Sequence, residues 1–190
     1  QLKKRLIIKI LKKMKKFIYV FLALGILYPL KAQNKKTLKK EVIQDVETQK
    51  KELIEISDTI WRAAEIAFQE TISSETLIAY AKANGFKVEQ GVGEIPTAFV
   101  ATFGSGKPVI GILGEFDALP GISQKAEPEK TPFKAGAAGH GCGHNLFGTA
   151  SLGAAVAIKN LIASGELKGT VKFFGTPAEE KFFGKLWMAR

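Results

Sequence analysis

Apolar residues recur at three- and four-residue steps from Leu38 through Val42, Val46, Leu53, Ile56, Ile60, Ala64 and Ala67, with charged residues between them. That period predicts one long amphipathic helix over residues 35–69. A second helix is expected to start at Ser73-Ser74-Glu75. It carries Leu77, Ile78 and Ala81 and stops at Asn84-Gly85, a fitting end signal. The pattern then changes. Phe86–Gln90 and Thr97–Phe103 are short, rich in β-branched and aromatic residues, and read as strands. Gly104-Ser105-Gly106-Lys107-Pro108 reads as a turn. It is no phosphate loop, because Pro108 stands where a Ser or Thr is needed and the earlier Gly is missing.

Val109–Gly114 is nearly all apolar, as expected of a strand covered on both faces. Phe116–Gly139 holds three prolines and is too long for a simple connector, which marks it as a site loop. Leu146–Ala163, with Ala150, Gly153, Ala154, Ala157 and Leu161, predicts a buried helix of small residues; Thr170–Phe174 predicts a further buried strand. Strands alternating with helices predict an α/β fold, a three-layer sandwich around a mostly parallel central sheet. Sites in such sheets gather at the carboxyl ends of the strands. Three clusters fall there: Glu115 and Asp117, Cys142 and His144, and Glu179 and Glu180.

Charge changes the picture only at the N-terminal end. Residues 1–40 hold 13 of the 28 Lys and Arg and no acid, leaving 15 basic against 18 acidic residues in 41–190, a balance of −3. The body of the chain thus has no electrostatic footprint for nucleic acid. The uncharged run Phe17–Leu30 is 14 residues long. A spanning helix needs about 20. With Met14-Lys15-Lys16 before it and Leu30-Lys31-Ala32 after it, residues 14–32 read as a signal peptide cleaved before Gln33, so a secreted or periplasmic product is expected. An uncleaved membrane anchor is the alternative. The chain opens on Gln1, and residues 1–13 read as an upstream or non-native extension. Residues 33–190 remain as one domain's worth of chain.

Candidate chemistry is concentrated. Both histidines and the one cysteine lie in Gly139-His140-Gly141-Cys142-Gly143-His144-Asn145. Cys and His suit a borderline-soft ion such as zinc, and Glu can complete the shell. Cys142 and His144, two apart, turn to one side in an extended loop. A single thiol forms no intrachain disulfide, and ligation explains it in an exported protein. A Gly-rich loop around a core Cys is the plainer reading. Of the adjacent Glu179 and Glu180, one can hold an ion while the other acts as general base. A solvated helix start would also explain the pair. Asp117 could orient a liganding His through its second ring nitrogen, or simply form a turn before Pro120.

The segments Trp61–Glu70, Glu115–Pro120, Gly139–Asn145 and Gly175–Glu180 occur in the order seen in the aminoacylase/carboxypeptidase family of metal-dependent amidohydrolases. The chain resembles that metallopeptidase family over about residues 37–190, and within it is most similar to the aminobenzoyl-glutamate hydrolase group. The resemblance implies Cys142, His144 and Glu180 as metal ligands, Glu179 as general base and Asp117 as support for the metal cluster. His140, Glu115 and Asn145 would stand behind the ligands or face substrate; Asn145 occupies a position where many relatives have Asp. It further implies two divalent ions, zinc or manganese, a small-molecule amide substrate such as an N-acyl or aminobenzoyl amino acid, and a homodimer or hetero-oligomer. The family's chains are longer. Residues 33–190 then correspond to the N-terminal part of a zinc-peptidase-like catalytic domain, without the lid or dimerisation domain and the remaining metal-binding histidines. Such a piece is expected to be inactive by itself. A non-catalytic metal-binding module or pseudoenzyme is the competing reading.

Overall fold

The computed structural model describes residues 35–190; the expected upstream extension, signal peptide and cleavage position lie outside the described residues. The long helix α1 spans Lys35–Ala63. It buries Ile56 and Ile60 at the predicted four-residue step, with Leu53 packed beside them. The helix stops six residues short of the expectation. Ala64 (φ 43°) leaves the helical region, and Ile66 forms a parallel bridge to Ala118. Tertiary pairing wins over periodicity here: the Ala118 N–H donates to the Glu65 carbonyl at 2.8 Å. The Glu65 carboxylate then accepts the N–H groups of Ile72 and Ser73, both at 2.9 Å, which starts α2 at Thr71–Ala83.

Strands β1 (Lys87–Gln90), β2 (Phe99–Ser105), β3 (Val109–Glu115) and β4 (Gly169–Thr176) form one sheet in the order β1-β2-β4-β3. The β1/β2 and β2/β4 pairs are antiparallel and only β3/β4 is parallel, so the sheet is mixed rather than mostly parallel. The reason is that β4 slots between two strands joined by a tight turn. Gly104 (φ 88°) makes room for it: a Cβ there would lie 2.3 Å from the Gly169 carbonyl oxygen. β4 is therefore a central strand, and among the described residues the open edges are β1 and β3. For the same reason β3 is not covered on both faces; Val109, Ile110 and Leu113 are each about half exposed.

The parallel β3/β4 pair is joined through α3 (His144–Ala163), two residues longer at its start than the sequence pattern predicts. α3 packs against α1, β3 and β4. One core cluster joins Ile56, Ile60, Leu77, Phe99, Ala101, Leu152, Val156, Val171 and Phe173, which puts α1, α2 and α3 on the same sheet face. Full burial of each large apolar side chain stabilises by roughly 1.5–3 kcal/mol. The opposite face carries the short helix α5 (Gly184–Met188), reached through α4 (Glu179–Phe182). An α/β fold with three layers results, the third represented among the described residues by α5.

Candidate metal centre

The carboxyl ends of the two parallel strands and the amino end of α3 meet at one point. β3 delivers Glu115 and then Asp117, which is 1% exposed. The loop after it closes on itself, with Leu119 and Gly139 exchanging backbone hydrogen bonds at 3.0 and 2.9 Å. The excursion through residues 120–138 therefore returns the chain to its starting point, and His140–His144 lies beside Asp117. α3 can approach this closely because of Gly148, where a Cβ would stand 2.4 Å from the Glu115 carbonyl oxygen. β4 delivers Pro177 and Ala178, both buried, and α4 opens on Glu179 and Glu180.

His144 is the hub. Its Nδ1 lies 3.0 Å from Asp117 Oδ1 and 3.7 Å from Glu180 Oε1; its Nε2 lies 2.9 Å from Glu115 Oε2 and 3.9 Å from Glu179 Oε2. Asp117 reaches both sides of the site, since its Oδ2 accepts the Glu180 N–H at 2.9 Å. Burial works against the charge on Asp117, but the His144 ring and the Glu180 N–H outweigh it and hold the carboxyl below the usual range. Burial likewise works against a charged His144, yet Asp117, then Glu115 and Glu180, hold the ring above the ordinary histidine value. The Cys142 thiol is pushed up by its slight desolvation and by Glu180, Glu179 and Glu115.

One nitrogen, sulfur or carboxylate oxygen from each of Cys142, His144 and Glu180 falls within a 4.8 Å span, and the same holds for Glu115, His144 and Glu179. The residues fit a divalent ion on an independent ground. Among the described residues Glu180 Oε1 is buried with no hydrogen-bond partner, in a cluster around His144 that also holds the carboxyl groups of Glu115, Asp117 and Glu179. A cation would satisfy the orphaned oxygen and favour the thiolate.

Residues 111–190 match peptidase family M20/M25/M40. Over 146 residues the chain is 46% identical to a subunit of the p-aminobenzoyl-glutamate hydrolase of Escherichia coli strain K12, covering 76% of this chain and 30% of that protein. Residues 111–190 belong to this peptidase family. It is also 30% identical over 132 residues to N-acetylcysteine deacetylase of Bacillus subtilis strain 168, covering 67% and 33% of the two chains. A crystal structure of a Bacillus subtilis dinuclear metal binding peptidase of the M20 family matches with 28% identity and a TM-score of 0.60, covering 70% of this chain and 36% of that one. The chain spans about a third of the length of the curated relatives it matches.

The other members of the expected set take different places. His140 donates Nε2–H to the Ile60 carbonyl at 3.0 Å, and burial pushes its ring below the ordinary value. Its buried Nδ1 has no hydrogen-bond partner among the described residues. Asn145 turns away to α1, donating to Ser57 Oγ at 3.0 Å, so it fastens α3 rather than facing the donors. Glu115 stands inside the cluster as a potential donor, and its Oε1 meets the Lys185 ammonium of α5. Lys185 was invisible in the sequence pattern, being one lysine among many with no motif around it. Glu70 closes the Trp61–Glu70 segment, but nothing in the sequence pattern assigns it a role. Beside His140 a cavity of about 650 Å³ is lined by Trp61, Phe133, Arg62, Lys125 and Lys134. The Trp61 and Phe133 rings meet edge-on there, centroids 6.0 Å apart.

Proposed function

We propose that the whole protein is an amidohydrolase that uses a divalent ion to cleave N-acyl or aminobenzoyl amino acids, and that this chain supplies the proton-handling half of its site. The observation that carries the reading is the arrangement of Glu179 and the Cys142/His144/Glu180 donors around one buried imidazole. Cys142, His144 and Glu180 would hold the ion, with Glu115 a further donor; the thiolate favours zinc over manganese. When bound, such an ion lowers the pKa of a water and polarises an amide carbonyl.

The chain's own residues do the rest. Asp117 keeps the proton on His144 Nδ1 and so leaves Nε2 as the free donor. Glu179, with a side chain 34% exposed, is accessible to water and substrate. It takes the proton from the water that attacks the carbonyl carbon and delivers it to the amine nitrogen as the C–N bond breaks. The cavity beside His140 suits the substrate: Trp61 and Phe133 offer an apolar wall for an aromatic acyl group, and Arg62, Lys125 and Lys134 offer cations for carboxylates.

A relative described as dinuclear supports two ions in the whole protein, the second needing donors beyond these. A relative named as one subunit of its enzyme supports assembly with another chain. The Lys15-Lys16 pair and the apolar run Phe17–Leu30 support export with cleavage near Ala32-Gln33, which the intact mass of the secreted product would test.

The deciding experiment compares Cys142→Ala with Glu179→Ala in the full-length parent. Elemental analysis should find the metal largely lost from the first and retained in the second. Hydrolysis of p-aminobenzoyl-glutamate and N-acyl amino acids should disappear in both. Equal metal loss in the two would mean the glutamate roles are misassigned, and metal binding without hydrolysis in the wild type would favour a non-catalytic module.

A further inference from the structure

Glu70 is 0% exposed and belongs to neither donor group. Its Oε1 accepts the backbone N–H of Ala178 at 2.8 Å, and its Oε2 accepts the Thr97 hydroxyl at 3.1 Å. Ala178 is an L-residue in the left-handed region (φ 59°, ψ 36°), a conformation that persists only when its surroundings enforce it. It is itself buried and immediately precedes Glu179.

We propose that Glu70 is a positioning residue for the Glu179–Glu180 pair: its carboxylate fixes the Ala178 peptide in the left-handed turn from which both glutamates project. The residues on either side of Glu179 each have their backbone N–H anchored by a carboxylate. The Ala178 N–H is held by Glu70 from the start of α2, and the Glu180 N–H is held by Asp117 from the end of β3. Two buried carboxylates from different elements thus clamp the backbone on either side of a residue whose side chain stays partly open. Packing alone would be served by an apolar side chain without the desolvation that a buried carboxylate incurs. Thr97 completes the anchor, and Ser74 in turn donates to the Thr97 carbonyl at 2.8 Å, so the anchor itself is held from two directions. The left-handed turn redirects the chain so that Glu179 and Glu180 face His144 from opposite nitrogens.

The inference rests on the reading of Glu179 as proton carrier and Glu180 as ion donor, so its test includes a substrate-free arm. Glu70→Gln keeps the Oε1 acceptor for Ala178; Glu70→Asp keeps the charge but falls one methylene short. In the full-length parent, hydrogen–deuterium exchange over residues 176–183 should rise in Glu70→Asp and stay near wild type in Glu70→Gln. With p-aminobenzoyl-glutamate, kcat should fall on the order of 100-fold in Glu70→Asp, the cost of a small displacement at the reacting centre. KM should stay within about twofold, because uniform binding is untouched. Glu70→Gln should remain within about threefold of wild type, since the positioning hydrogen bond survives. Equal kcat losses in the two variants, or unchanged exchange in Glu70→Asp, would overturn the proposal. Should the wild type hydrolyse no amide, the functional reading fails and the exchange comparison alone decides Glu70. Should Glu70→Asp not fold, the wild type decides, because an Ala178 amide that exchanges like an unprotected peptide overturns the proposal.

Discussion

Asp117 touches His144 and Glu180 with different oxygens of one carboxylate: Oδ1 lies 3.0 Å from the His144 Nδ1, and Oδ2 accepts the Glu180 N–H at 2.9 Å. Two donors converge on two acceptors. An amide in its place has one acceptor and one donor, so Asp117→Asn cannot satisfy both. The variant should bind zinc about 10–100-fold more weakly, the usual cost of losing a group that orients a ligand. Competition with a chelator reads this directly. Zinc affinity equal to wild type would show that Asp117 does not orient the ring.

Gly148 couples the fold to the site. Its missing Cβ lets α3 lie against the Glu115 carbonyl, and a methyl group would meet that backbone oxygen at 2.4 Å. Gly148→Ala should cost about 1–3 kcal/mol by overpacking and should weaken zinc binding as well, because His144 moves with α3. Gly153→Ala is the control. Its methyl meets the end of the Leu53 side chain at 2.8 Å, which can shift, so the loss should be smaller and zinc affinity unaffected. Urea midpoints and zinc titrations of both variants check the pair; equal effects on zinc binding would contradict the coupling.

The site was more legible in the sequence than the sheet. Cys142 and His144 announce themselves because neighbours in sequence are neighbours in space, and Glu179 and Glu180 follow a readable strand; His140, equally prominent in the sequence, turns instead to the Ile60 carbonyl. α2 and α3 carry a local period, and their limits shift by only two residues at the start. The strand order was not legible, because the insertion of β4 between β2 and β3 depends on contacts such as Gly104 with Gly169, far apart in sequence. The end of α1 was missed for a related reason. Ala64 and Ala67 continue the helical period, but the bridge from Ile66 to Ala118 overrides it. Glu70 and Lys185 acquire meaning only from what they touch.

Glu70 also sets a pH signature. Burial raises its folded-state carboxyl above the ordinary 4.5, and the hydrogen bonds from Ala178 and Thr97 offset this only in part. A carboxyl that holds its proton more tightly in the fold than in the unfolded chain contributes stability that is fully present below 4.5. That contribution is lost as pH rises through the folded value. Glu70→Gln has no proton to lose. Its urea midpoint relative to wild type should therefore rise as pH increases above 4.5 and level off once the raised folded value is passed. A relative midpoint that stays flat or falls across that range would contradict the assignment.

Both donor groups, Cys142/His144/Glu180 and Glu115/His144/Glu179, draw on the same imidazole, which limits how many ions these residues can hold. Its Nδ1 is taken up by Asp117, which leaves Nε2 alone as a donor. The other histidine cannot substitute through Nε2, since that nitrogen donates to the Ile60 carbonyl. Of the two histidines only His144 belongs to these donor groups, so within them only one ion can have an imidazole in its shell. The 190-residue chain should bind one zinc per chain, and Cys142→Ala should weaken it. A two-ion hydrolase brackets the attacking and departing atoms with ions roughly 3.5–4 Å apart. A single ion does not provide that bracket, so the chain by itself should not hydrolyse p-aminobenzoyl-glutamate. Elemental analysis after saturation and gel filtration, with a hydrolysis assay on the same sample, tests both statements. Two tightly held ions, or turnover that disappears in Glu179→Ala, would show that these residues form a complete catalytic site.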